Sequence, residues 1–108
     1  MISDREFESI VERALRELPP RFAKLLDNVV VLVEPEPNDE DLALLEDEDG
    51  ELFGVFRNHP PLPHQVVIFS GPILRSTRGR REAEREIRDT VIHELGHYFG
   101  LDDEGMAY

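Results

Sequence analysis

The 108-residue sequence predicts one small α+β domain in two layers, helices packed on a short sheet. Two long amphipathic helical patterns, one near each end, and three β-branched or aromatic runs between them carry that prediction. The length allows one substantial core and no second one, so residues 1–108 form a single domain.

The elements follow in order. Ser3 followed by Glu6 forms a capping box, after which Phe7, Ile10, Val11, Ala14, Leu15 and Leu18 fall on one helical face until Pro19 and Pro20 stop the run. A second helical turn around Phe22, Leu25 and Leu26 leads into NVVVLV, a β-branched run expected to be a buried strand. The stretch EPEPNDEDLALLEDEDGE breaks that pattern with prolines and acids. It is expected to be a solvated connection with one short helical piece at Leu42 to Leu45. Its DEDGE run is no calcium loop, because the first ligand position would fall on Leu45.

ELFGVFRN and QVVIFSGPILRS predict two further strands joined by HPPLPH. Gly71 and Pro72 interrupt the second, which suggests a bulge or a sheet edge able to accept an extended peptide. His59 and His64 flank the proline loop and are read as ordinary loop histidines. From Arg81 or Glu82 to about Phe99 runs the second long helix. Arg75, Arg78, Arg80, Arg81, Arg85 and Arg88 interleave there with Glu82, Glu84, Glu86 and Asp89, the pattern of a salt-bridged, solvated face.

Composition narrows the chemistry. The absence of cysteine excludes disulfides, thiolate ligands and a cysteine nucleophile, so a metal would be held by His, Asp or Glu. The formal net charge is -12, and residues 1–54 carry 16 acids against 5 bases. Such a body repels polyanions and weighs against a nucleic-acid partner. The N-terminus is charged from its fourth residue and no apolar run approaches the roughly 20 residues of a membrane span, so a cytoplasmic protein with no membrane partner is expected.

The chemistry concentrates in TVIHELGHYFGLDDEGMAY. His93 and His97 stand one helical turn apart, so they project from one face and can reach one ion. Ile87, Val91, Ile92, Leu95 and Phe99 form a different stripe, which packs on the sheet and leaves the histidines facing a cleft. Glu94 is about 100° around the helix from His93, where its carboxylate can reach a metal-held water as general base without ligating the metal. A third ligand is needed, and Gly100 offers a helix end that turns the chain back. Asp102, Asp103 and Glu104 follow it. Gly96 inside the helix points to a close backbone approach, and Tyr98 is either a packing residue or a wall of the cleft.

The span His93 to Asp103 matches H-E-x-x-H-x-x-G-x-x-D and resembles the metzincin-type zinc peptidase signature, with aspartate in place of the usual third histidine. With its length, acidic first half, LFGVFRN and C-terminal motif, the chain is similar to the minimal zincin-like metallopeptidases of bacteria, sometimes called minizincins. The resemblance implies a small zincin-like fold, its active-site helix packed on a short mixed sheet whose edge strand lies beside the cleft. It also implies His93, His97 and Asp103 as ligands of one Zn2+ and Glu94 as the catalytic base. Metzincins carry a methionine turn well downstream of the third ligand. Here five residues follow Asp103, and Met106 is at most a short counterpart.

The leading functional expectation is a zinc-dependent metallopeptidase that hydrolyses a peptide or amide bond in a substrate paired with the edge strand around Val66 to Phe69. The alternative is a non-catalytic zincin-like module that binds a peptide or protein along that edge. Nucleic-acid hydrolysis is a third reading, from a bacterial RNA-processing family with an H-x-x-x-H-x-x-G-x-D-H arrangement; Glu94, Asp103 and the net charge speak against it. Two histidines and a carboxylate also suit Fe(II), Mn or Ni, but the helical H-E-x-x-H spacing favours zinc.

Overall fold

A computed structural model describes residues 2–44 and 50–98, with the backbone alone for Arg21, Ala23, Lys24, Leu25, His97 and Tyr98. Helix α1 spans Asp4–Arg16 and opens with Ser3 as its N-cap: Ser3 Oγ accepts from Glu6 N–H at 3.2 Å and donates to Glu6 Oε1 at 3.3 Å. Phe7, Ile10, Val11 and Ala14 are buried along one face. A short helix α2, Pro20–Ala23, and a 3₁₀ turn, Lys24–Asn28, then deliver the chain to strand β1, Val29–Glu34.

After α3, Asp39–Leu42, come β2, Gly54–Arg57, and β3, His64–Phe69. The sheet is mixed, in the order β1-β3-β2, with β1 parallel and β2 antiparallel to β3. Helix α4, Ser70–Ser76, precedes the long α5, Arg80–Tyr98. No helix among the described residues is long and apolar enough to cross a membrane.

Strand alternation divides the sheet between two environments. Val66 and Ile68 of β3 face the main core, where α1 and α5 supply Phe7, Ile10, Ala83, Ile87, Val91 and Leu95. Val67 and Phe69 point to the opposite face and pack with Val55, Leu32 and Leu52. Arg57 closes that second face, its guanidinium bonding Glu34 at 3.0 Å and Asp41 at 2.5 Å. Asp41 is itself a capping residue: Asn38 N–H donates to its carboxylate at 2.9 Å, and Asn38 Oδ1 accepts from Asp41 N–H at 2.8 Å.

Four expectations are corrected. NVVVLV lies at the sheet edge and is half-buried, because among the described residues β3 alone pairs with it. The short helix falls at Asp39–Leu42 and ends where it was expected to begin, since the reciprocal Asn38–Asp41 cap sets its start; Leu45 lies outside the described residues. QVVIFSGPILRS is half strand and half helix: Pro72 sits in the first turn of α4, where its missing N–H would have no helical partner. Val66 to Phe69, expected as the substrate's edge, is the centre of the sheet, flanked on both sides.

Candidate active site

The motif helix meets the sheet at β2. Thr90 and Glu94, four residues apart on α5, lie under Gly54 at the start of that strand. A Cβ at Gly54 would come within 2.9 Å of Glu94 Cγ, 3.1 Å of Thr90 Cγ2 and 3.2 Å of the Val67 carbonyl oxygen. Only glycine permits this approach of helix to edge strand. Glu94 is thereby half-buried against the sheet, while His93, about 100° further round, is exposed.

A groove of about 350 Å³ opens between the two elements. One wall is the segment Glu51 to Gly54, and the other is the α5 face carrying Glu86, Asp89, Thr90, His93 and Glu94. The first wall is anchored at both ends. Phe69 N–H donates to the Phe53 carbonyl at 2.8 Å, and Arg75 of α4 reaches Glu51 at 2.6 Å and Glu36 at 2.6 Å, so it ties together the two ends of the acidic connection. These carboxylates are exposed, and Arg75 holds that of Glu36 below its ordinary titration range.

The floor is anionic. Glu86 is half-buried, and burial first, then the neighbouring Asp89, pushes its carboxyl above the ordinary value; Thr90 Oγ1 donates to its Oε2 at 3.4 Å and opposes that shift. The ladder pattern aims the N–H and C=O of Gly54 away from β3, because Phe53 and Phe69 form the hydrogen-bonded pair next to it. Helix face, sheet edge and groove therefore converge on one place.

Of the residues singled out in the sequence, His93 and Glu94 lie together on this groove. His97 follows on the same helix one turn on, with its side chain outside the described residues, as is that of Tyr98. Asp103, Asp102, Glu104, Phe99, Gly100 and Met106 also lie outside the described residues. Among the described residues no three His, Asp or Glu side chains form a group able to hold a metal. The donors fit one in kind: the exposed His93 imidazole lies on the groove and a second histidine follows it at i+4, with the Glu94 carboxylate on the same groove as a base rather than a ligand.

A family model described as zincin-like metallopeptidase matches residues 26–108. The chain belongs to this family. The match takes in the sheet, the groove and the whole motif helix. Among solved structures, a conserved hypothetical protein from Thermo thermophilus is similar in fold, with a TM-score of 0.67 and 22% identity over 91% of this chain and 94% of that one. No curated protein matches.

For this zincin-like chain, the sequence offers Val66 to Phe69 as the sheet edge, which the structure places at the centre, and marks no role for Gly54. A lone glycine inside the strand-like LFGVFRN was the available signal, since glycine in a strand marks a close backbone approach. In the sequence, Glu86 and Asp89 carry only the pattern of a solvated charged face. Their spacing to His93, i, i+7 for Glu86 and i, i+4 for Asp89, is the sign that they share its side of the helix.

Proposed function

We propose that this domain is a zinc-dependent metallopeptidase acting on an extended peptide. The observation that carries the proposal is the close approach of Glu94 to Gly54, which sets the motif helix directly against a sheet edge. His93, His97 and Asp103 would hold one Zn2+, and a bound ion would supply Lewis acidity at the scissile carbonyl.

The chain's own residues supply the rest. The edge strand β2, rather than β3, pairs with the substrate main chain, and Gly54 sets the register opposite Glu94. The Glu94 carboxylate takes the proton of the attacking water and delivers it to the leaving amine. Its half-buried position, fixed by contact with the strand, keeps it within reach of the groove without exposing it fully to solvent.

The test is cleavage of a degenerate peptide library by wild-type protein and by Glu94→Gln. Products that appear with the wild type and vanish with Glu94→Gln, whose fold and metal content are unchanged, support the peptidase. Peptide binding retained by both proteins with no cleavage by either contradicts it and leaves the non-catalytic peptide-binding module.

A further inference from the structure

A second cleft lies on the other flank of α5, against α1. It encloses about 300 Å³, at the lower end of the range of small-molecule sites, with Ile10 and Arg13 contributed by α1 and Arg81, Arg85 and Arg88 by α5. Four of the chain's 12 basic residues thus line one opening in a molecule that carries 24 acids.

The pairing of these arginines sets them apart from those that brace the fold. Arg57 bonds Asp41 and Glu34, Arg75 bonds Glu36 and Glu51, and Arg80 bonds Glu6. Arg88, at the cleft's edge, is matched by Glu17 at 2.9 Å. Arg13, Arg81 and Arg85 form no ion pair among the described residues. Arg81 and Arg85 also stand one turn apart on the same helix, a like-charge spacing that disfavours the helix unless something neutralises it.

The cleft contains two acids of its own. Glu84 is 3.7 Å from Arg80 Nε, turned to a residue outside the lining, and Asp89 sits at the boundary with the motif groove. Guanidinium forks from two opposing walls suit a group with several oxygens and more than one negative charge better than a single planar carboxylate. The net charge of -12 around the cleft repels an extended polyanion, so the ligand must be small.

We infer that the α1–α5 cleft binds a small phosphate-bearing anion through Arg13, Arg81 and Arg85. The site is separate from the motif groove and calls on none of its residues except the bordering Asp89.

The full chain titrated with inorganic phosphate and with pyrophosphate, followed by NMR at the arginine Nε–H resonances, tests this. Saturable shifts at Arg13, Arg81 and Arg85, stronger for pyrophosphate, are expected. The Arg81→Gln/Arg85→Gln double variant should weaken binding about tenfold or more, the loss of charge-assisted hydrogen bonds. Glu84→Gln should tighten it, and Arg78→Gln, outside the cleft, should leave it unchanged. Thermal unfolding of the double variant in phosphate-free buffer separates a folding defect from a binding one, since relief of repulsion should leave its Tm equal or higher. Three results would overturn the inference: no saturable shift, an equal loss in Arg78→Gln, or tighter binding of a short poly-glutamate peptide than of pyrophosphate at these resonances.

Discussion

Glu94 Cγ lies 2.9 Å from the point where a side chain on Gly54 would begin, closer than such atoms pack, and that single contact links the chemistry to the sheet. The Val67 carbonyl on the other side of the same space is backbone and cannot swing away. Gly54→Ala should therefore lower stability by about 1–3 kcal/mol, the range for overpacking, measured from the urea midpoint. It should also reduce any peptidase activity by displacing Glu94. Glu86 gives a second residue-level prediction. Burial raises its carboxyl above the unfolded value, so its ionisation opposes folding as pH rises through that interval, and the cost is full above it. Glu86→Gln should raise the urea midpoint at pH 7 and lose that advantage at acid pH, where both states of the wild type are protonated.

Arg57 fastens the acidic connection to the back of the sheet by joining three elements, Glu34 from β1, Asp41 from α3 and its own strand β2. Asp41 is 4% exposed, so its loss leaves a largely buried guanidinium with one carboxylate and removes the reciprocal half of the α3 capping box, the bond from Asn38 N–H. Asp41→Ala should cost about 2–3 kcal/mol by urea unfolding, less than a fully buried pair because Glu34 remains. The hydrogen bonds from Arg57, against the cost of burial, hold the Asp41 carboxyl below its ordinary value. Its contribution is thus full above the unfolded carboxyl value of about 3.9 and disappears as pH falls through the lower folded value, an acid-side loss the variant should lack. Elements with local signals were legible in the sequence: the Ser3–Glu6 cap, the apolar stripe of α1 and the periodicity of α5 all depend on neighbours within a turn. The order of the strands depends on pairing between distant segments, and no local pattern marked β3 rather than NVVVLV as the centre. The Asn38–Asp41 cap was legible but hidden in an acidic run, and Pro72 suggested an interrupted strand because proline is equally at home in a first helical turn.

At the scale of the molecule, α5 has one buried side and three uses of its surface. Ile87, Val91 and Leu95 seat it on the sheet, the arginine flank faces α1, and the flank with His93 and Glu94 faces β2. The motif was legible because H-E-x-x-H lies within two turns of one helix. The groove was not, because its second wall comes from a segment some forty residues earlier in the chain. The net charge of -12 adds self-repulsion over the whole surface. Moderate salt, which screens exposed charges beyond roughly 8 Å at physiological strength, should raise the urea midpoint even though it also weakens the exposed Arg75 and Arg80 pairs. The most direct test of the central claim is metal stoichiometry by mass spectrometry on protein purified without chelator or affinity-tag metal, beside His93→Ala, His97→Ala and Asp103→Ala. The account predicts near one equivalent of zinc in the wild type and in Glu94→Gln, and loss of the metal in each of the three ligand variants. Wild-type protein that carries no zinc and takes up none on titration would contradict it.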